Sequence, residues 1–252
     1  VASNDPVETV ERCAFDAWPA EEMEAMAGWR LRAMRGISRR ANSAWTFEAT
    51  GETPVEERVD RAERWYGSRG LAPSFQVAMR ARPEGLDAFL EERGYVVDAP
   101  VSIQVAATSD VPVAANGCDA VVTRACTDEW FGISAHRGRF AKVAGVYRAL
   151  LERIGSGARF AVARVDGQPA GVGLGVVGQG WMGVFSMLTL PSARRRGAAR
   201  AVLSAFAETA RDEGIESLYL QVERDNAAAI ALYAAASFRE LYGYHYRVRR
   251  PG

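Results

Sequence analysis

Residues 188–199 (LTLPSARRRGAA) constrain the fold more tightly than any other stretch of the chain. An extended apolar run is stopped by Pro191, a turn of three arginines and a glycine follows, and a helical pattern begins at Ala198. Val202, Leu203, Phe206 and Ala210 then share one helical face, with Gly214 as the stop. A short apolar run at 217–222 comes next. Strand, helix and strand in that order make a crossover unit, which requires a parallel pair and a right-handed connection. The chain is therefore expected to be α/β. Ligands in such sheets gather at the carboxyl ends of the strands, which is where the arginine turn stands.

The opening turn of that helix suits an anion. Gly197 permits a tight turn, and the small Ala198 and Ala199 leave the first N–H groups uncovered. The positive end of the helix dipole points to the same place. Arg194, Arg195 and Arg196 add charge and a forked donor set matched to phosphate oxygens. A solvated basic turn is the other reading of these residues; the strand–turn–helix setting favours the phosphate one.

A second pattern, NAAAIALY at 226–233, places a carboxamide and a phenol on one helical stripe. They lie about 10 Å apart along the axis. Taken singly, Asn226 reads equally as a helix N-cap and Tyr233 as a core aromatic. Behind an arginine turn they read as two contacts along one elongated ligand. A nearby match to G-x-G-x-x-G at 173–178 is different, because Gln179-Gly180-Trp181-Met182 leads into another strand rather than a helix. A hairpin is expected there. Glycines 171, 173 and 175 share one parity, hence one sheet face, and mark close packing.

Composition narrows the function. With 31 basic and 31 acidic residues among 252, the chain lacks the basic excess of a general nucleic-acid binder. Cys13, Cys118 and Cys126 have no metal-ligand spacing, and His136 and His245 are far apart, so neither a disulfide framework nor a metal site is expected. No signal-peptide pattern opens the sequence, and no run approaches the roughly 20 apolar residues of a membrane span, so a cytoplasmic protein without membrane contact is the expectation.

Residues 106–118 are small, polar and turn-forming, and read as a linker between residues 1–105 and 119–252. The first part can be laid on the second at an offset of 143 residues: 55–70 falls on 198–213, and 75–79 on 218–222. One supersecondary plan is thus expected twice. The chemistry does not repeat, since Leu90 stands where Tyr233 stands, Pro83 where Asn226 stands, and Gly51-Glu52-Thr53-Pro54 where the arginine turn stands. Arg30, Arg32, Arg35, Arg39 and Arg40, around Trp29 and Trp45, read as a solvated face with salt bridges, or else as a site for an acidic substrate.

Residues 119–252 resemble a GCN5-related N-acetyltransferase (GNAT). The run 226–233 followed by Ser237-Phe238 is similar to the family's N-x-x-A-x-x-L-Y…G-F segment, and 194–199 to its Q/R-x-x-G-x-G/A motif. The nearest flavour is the ribosomal-protein alanine acetyltransferase branch. The resemblance implies two tandem GNAT-like lobes with mixed sheets, the first (1–105) degenerate and the second catalytic. It implies acetyl-CoA as acyl donor and a primary amine on a small molecule, amino acid or protein N-terminus as acceptor. Pantetheine would pair with backbone at Leu188, Thr189 and Leu190, an N–H near Leu188 would face the developing oxyanion, and the pyrophosphate would sit on residues 194–199. Asn226 would contact the carrier arm, and Tyr233 would protonate the departing thiolate. That branch carries a glutamate five residues before the asparagine. Here the position is Gln221, and Glu223, of the same strand parity, is the candidate base acting through water. An acyl-CoA-binding sensor without catalysis is the alternative. Trp130, Phe131, His136, Tyr242, Tyr244 and His245 are available to line an acceptor pocket or to pack the core. Two lobes serving as an internal dimer suit a monomer, with a homodimer also open.

Overall fold

Asp5 opens the first helix by accepting the Val7 N–H at 3.0 Å, ahead of α1 (Pro6–Asp16), whose Pro6 has no N–H to satisfy. This is the start of a computed structural model that describes residues 5–114, 117–138 and 140–249. There follow β1 (Glu22–Met26), β2 (Trp29–Ala33), β3 (Ala44–Trp45), α2 (Val55–Gly67), β4 (Ser74–Ala78), α3 (Leu86–Glu92) and β5 (Val96–Ala107). Then come β6 (Cys118–Thr123), α4 (Asp128–His136), α5 (Ala144–Ile154), β7 (Ala158–Val165), β8 (Gln168–Gly178) and β9 (Trp181–Thr189). The chain ends with α6 (Ala198–Asp212), β10 (Ser217–Glu223), α7 (Ala227–Ala234) and β11 (Arg239–Val248). Val55 and Ala198, Ser74 and Ser217, and Val96 and Arg239 open corresponding elements, each pair 143 residues apart.

Packing divides these elements into two units that do not follow chain order. The α6 unit holds α1 with Ala17, Ile103–Val222 and Asn226–Leu241. Its strands run β5–β10–β9–β8–β7–β6, with β10 parallel to β9 and β9 through β6 successively antiparallel. The α2 unit holds Trp18–Ser102, Glu223–Asp225 and β11 from Tyr242. Its order is β1–β2–β3–β4–β11–β5, with β3 parallel to β4 and β11 antiparallel to β4. Each unit is thus a mixed sheet completed by a strand from the other half of the sequence. A division at residue 105 cuts through β5, whose last residues lie beside β10 while β11 goes to β4. Nor are residues 106–114 a loose tether. The Thr108 N–H donates to Glu216 O at 2.9 Å and the Ala114 N–H to Ser204 Oγ at 3.1 Å.

The apolar face expected on α6 is the one it buries: Val202, Leu203, Phe206 and Ala210 pack with Met182, Val184, Leu218 and Leu220. The glycines of β8 make room for that helix. A Cβ on Gly173 would stand 2.6 Å from Val202 Cγ1, and one on Gly175 3.1 Å from Phe206 Cε1. The G-x-G-x-x-G stretch is therefore a packed strand leading into a hairpin. In the α2 unit, Val59, Ala62 and Tyr66 of α2 share a core with Trp29, Leu31 and Phe75. The solvated arginine face is only partly correct. Arg35 pairs with Glu21 and Arg39 with Asp98, but Arg32 is buried, its Nη2 donating to Gln76 Oε1 at 3.2 Å.

Candidate active site

The parallel ladder between β9 and β10 runs from Ser217↔Trp181 to Leu220↔Val184. Beyond that pair the two strands no longer pair with each other, although β9 continues to Thr189 and β10 to Glu223. β9 is also bulged there. Phe185 faces Leu174 and Leu188 faces Val172, so Ser186 and Met187 together stand opposite Gly173. The Leu190 N–H donates to Ala170 O at 2.8 Å. By antiparallel alternation Leu188 also faces β8, and Thr189 directs its N–H and carbonyl to the open side. This corrects the expectation for Leu188 and Leu190, whose backbones are committed to the sheet.

The strand leads through Pro191 into the arginine turn. Gly197 has φ +90° and precedes α6 as a cap with no side-chain hydrogen bond, so the first N–H groups of the helix are unclaimed by any capping side chain. Arg195 also lies in the left-handed region, at φ +62°. The three arginines differ. Arg196 is ion-paired with Asp166, whereas Arg194 and Arg195 are exposed and have no ion pair among the described residues. Ala199 is half-buried, but Ala198 points its methyl into the core and offers only backbone. Beside the turn is a cavity of about 270 Å³, lined by Val111, Cys118, Gly197, Arg200, Leu203 and Ala236 among others. Free N–H groups, a dipole end and unpaired guanidinium groups at one turn fit a diphosphate.

On α7, Asn226 is exposed and its Oδ1 accepts the Ala229 N–H at 3.1 Å, so it caps the helix. Its Nδ2 has no partner among the described residues. Tyr233 is 8 % exposed and belongs to the apolar cluster that holds Ala198, with Leu190 packed against it. Burial pushes its phenol up to about 12, so it keeps its proton through the neutral range. Protonated, it can donate a hydrogen bond to a leaving thiolate, although the conjugate thiol, at about 8.5, is the stronger acid of the two. Glu223 is the exposed last residue of β10 and is grouped with the α2 unit.

The aromatic residues expected around an acceptor fall in different units. Trp130 and Phe131 are buried on α4 and His136 is exposed at its end, whereas Tyr242, Tyr244 and His245 lie on β11 in the α2 unit. There His245 Nε2 is 2.8 Å from Asp87 Oδ1. Sequence reasoning missed Tyr147 and Ser186, joined by a hydrogen bond at 2.8 Å. No local motif marks either one.

The corresponding turn of the α2 unit is built oppositely. Pro54 caps α2, and the Arg58 guanidinium, buried, donates to the carbonyls of Thr53 (2.9 Å), Thr50 (2.9 Å) and Gly51 (3.3 Å), and also to that of Ala27. The loop turns carbonyl oxygens inward onto its own cation, and Glu52 is exposed. That is a poor place for an anion.

Among the described residues, no cluster of three or more metal-type ligands is present, and no helix is long and apolar enough to cross a membrane.

Residues 6–249 match the model of a protein family described as "Probable histone acetyltransferase Rv0428c C-terminal". The uncharacterized N-acetyltransferase YobR of Bacillus subtilis is 28 % identical, over 98 % of this chain and 100 % of its own. The probable histone acetyltransferase Rv0428c of Mycobacterium tuberculosis is 34 % identical over 107 residues, 40 % of this chain and 34 % of that protein. The ribosomal protein bS18-alanine N-acetyltransferase of Escherichia coli is 37 % identical over 57 residues, 23 % of this chain and 38 % of its own. Among solved structures, a GCN5-related N-acetyltransferase from Kribbella flavida superposes with TM-score 0.74 at 14 % identity, covering 98 % of this chain and 95 % of that one. A tandem GNAT protein from the clavulanic acid biosynthesis pathway does so with TM-score 0.67 at 15 % identity, covering 100 % and 98 %. These two likenesses speak for the fold.

Proposed function

Because the chain belongs to the Rv0428c C-terminal family of GNAT N-acetyltransferases, we propose that it moves an acetyl group from acetyl-CoA to a primary amine by direct attack in a ternary complex. The amine is that of a small molecule, an amino acid or a protein N-terminus. One observation carries the reading: the β9–β10 ladder stops at Leu220↔Val184, and β9 then runs directly into a glycine-started helix with no side-chain cap.

In this reading the donor supplies an activated thioester, and the protein supplies position and protons. Thr189 offers its open backbone edge to the amides of the pantetheine arm. The N–H groups of Gly197, Ala198 and Ala199, with Arg194 and Arg195, hold the diphosphate. Arg196 joins them by leaving Asp166. Asn226 keeps its Oδ1 on the helix cap and reaches the carrier arm with Nδ2. The amine must be neutral to attack, and Glu223 accepts its proton through water. Tyr233 protonates the thiolate as the carbon–sulfur bond breaks. The α2 unit is the degenerate lobe and binds no carrier, a reading supported by Arg58 in the matching loop.

Calorimetry with coenzyme A and turnover with a panel of amines test the assignment. Tyr233→Phe is expected to lower kcat roughly 100-fold while changing the coenzyme A affinity by less than about threefold. Equal turnover by the variant removes Tyr233 from the chemistry, and absent affinity in the folded wild type removes the whole reading.

A further inference from the structure

The bulge on β9 is gripped by side chains from two helices, and no part of the acetyltransferase motifs accounts for them. Ser186, at φ +49°, holds a left-handed backbone that a residue with a Cβ adopts only when something restrains it. The Tyr147 hydroxyl of α5 donates to Ser186 Oγ at 2.8 Å. Ser134 Oγ of α4 lies 3.1 Å from the same Tyr147 oxygen. Tyr147 has one hydroxyl hydrogen, so Ser134 is the donor in that pair and the chain runs Ser134 to Tyr147 to Ser186. On the facing strand, the carbonyl of Gly173, which the bulge leaves opposite two residues, accepts from Trp130 Nε1 at 2.9 Å. Both sides of the irregularity are thus tied down.

The ties are themselves rigid. Tyr147 is fully buried, its ring stacked on Phe140 at 4.1 Å and beside Phe131 at 6.3 Å. Ser134 is buried and Trp130 wholly so. A buried polar chain of this kind fixes one geometry, because any other leaves a hydroxyl without a partner in an apolar surround. What it fixes is the stretch of β9 just before the open edge at Thr189.

We propose that Tyr147 is a positioning residue. Through Ser186 it holds the bulge in the one form that aligns the β9 edge with the reacting acyl group, so it governs turnover and not donor affinity. The role in turnover rests on the acetyltransferase reading above; the hold on the bulge does not.

Tyr147→Phe removes the hydroxyl and keeps the ring, and Ser186→Ala removes its acceptor. Each is expected to lower kcat roughly tenfold, with coenzyme A affinity by calorimetry within about twofold of wild type. The double variant is expected to be no slower than the slower single variant, because both break one tie. Amide exchange at residues 186–188, followed without any substrate, is expected to quicken in Tyr147→Phe while α6 keeps its protection. Losses that multiply in the double variant, or unchanged kcat with unchanged exchange, overturn the proposal. A wild-type chain that fails to bind coenzyme A sinks the acetyltransferase reading alone, since the exchange experiment still judges the hold on the bulge.

Discussion

Gly173 occupies a place where one hydrogen fits and a methyl does not. A Cβ there would approach Val202 Cγ1 to 2.6 Å and both Met187 Sδ and Phe206 Cε2 to 2.9 Å. Gly173→Ala is expected to cost about 2 kcal/mol of stability by overpacking, read as a lower urea midpoint at unchanged slope. A midpoint equal to wild type would show that α6 can step back freely. This crowding was legible in the sequence, because three glycines of one parity in a strand announce a close neighbour. Tyr233 was visible as a candidate through its spacing from Asn226. Its protonation was not, since that depends on burial. The folded state holds the phenol's proton more tightly than the unfolded chain, whose phenol titrates near 10, so the stability this adds is lost as pH rises between 10.0 and about 12. Ser186 and Tyr147 were illegible because their partnership spans 39 residues and rests on a bulge that no local pattern encodes. Ser237 stood where the family pattern has glycine, and the backbone does take φ +68°. The cost is offset by its hydroxyl, which donates to Asp110 O at 2.8 Å.

At the scale of elements, the two ends of α6 differ. Its start has no side-chain cap, and its end is clamped. Glu213, just past the last turn, accepts Arg159 Nε at 2.8 Å and Nη2 at 2.7 Å from β7, with Arg159 buried. The Arg159 hydrogen bonds, with the charges of Arg159 and Arg124 adding to them, hold the Glu213 carboxyl below the usual carboxylate range. A lowered folded value means the contribution is complete above the unfolded carboxyl's titration and is lost as pH falls through the folded one. Glu213→Gln is expected to cost about 2 kcal/mol at pH 7, with the gap to wild type closing below about pH 4 in thermal melts. A gap that stays constant with pH would mean the pair acts through shape alone. Long periodic elements such as α2, α6 and β7 through β10 were readable from pattern. The strands before α2 were not, because β3 is only Ala44–Trp45 and cannot show an alternation. β9 itself was found from its pattern, but the direction of its amides near Thr189 turned on Ala170, an alignment that register alone decides.

For the whole molecule, the repeat at 143 residues was visible in the sequence and the exchange of its final strands was not. Both β5 and β11 look like the natural end of their own half, and nothing in their composition tells which partner each prefers. The packing says that β11 lies between β4 and β5 in the α2 unit, while the end of β5 lies beside β10 in the α6 unit. Residues 119–252 produced alone are therefore expected to lack a cooperative thermal transition, and co-production with 1–118 to restore it. A stable, coenzyme A-binding fragment from 119 onward would contradict this dependence. The exchange also sets a timetable for synthesis. A ribosome releases β4 and β5 well before β11, the strand that fills the gap between them. The earlier-made lobe must therefore wait, with two sheet edges bare, until β11 has been synthesised.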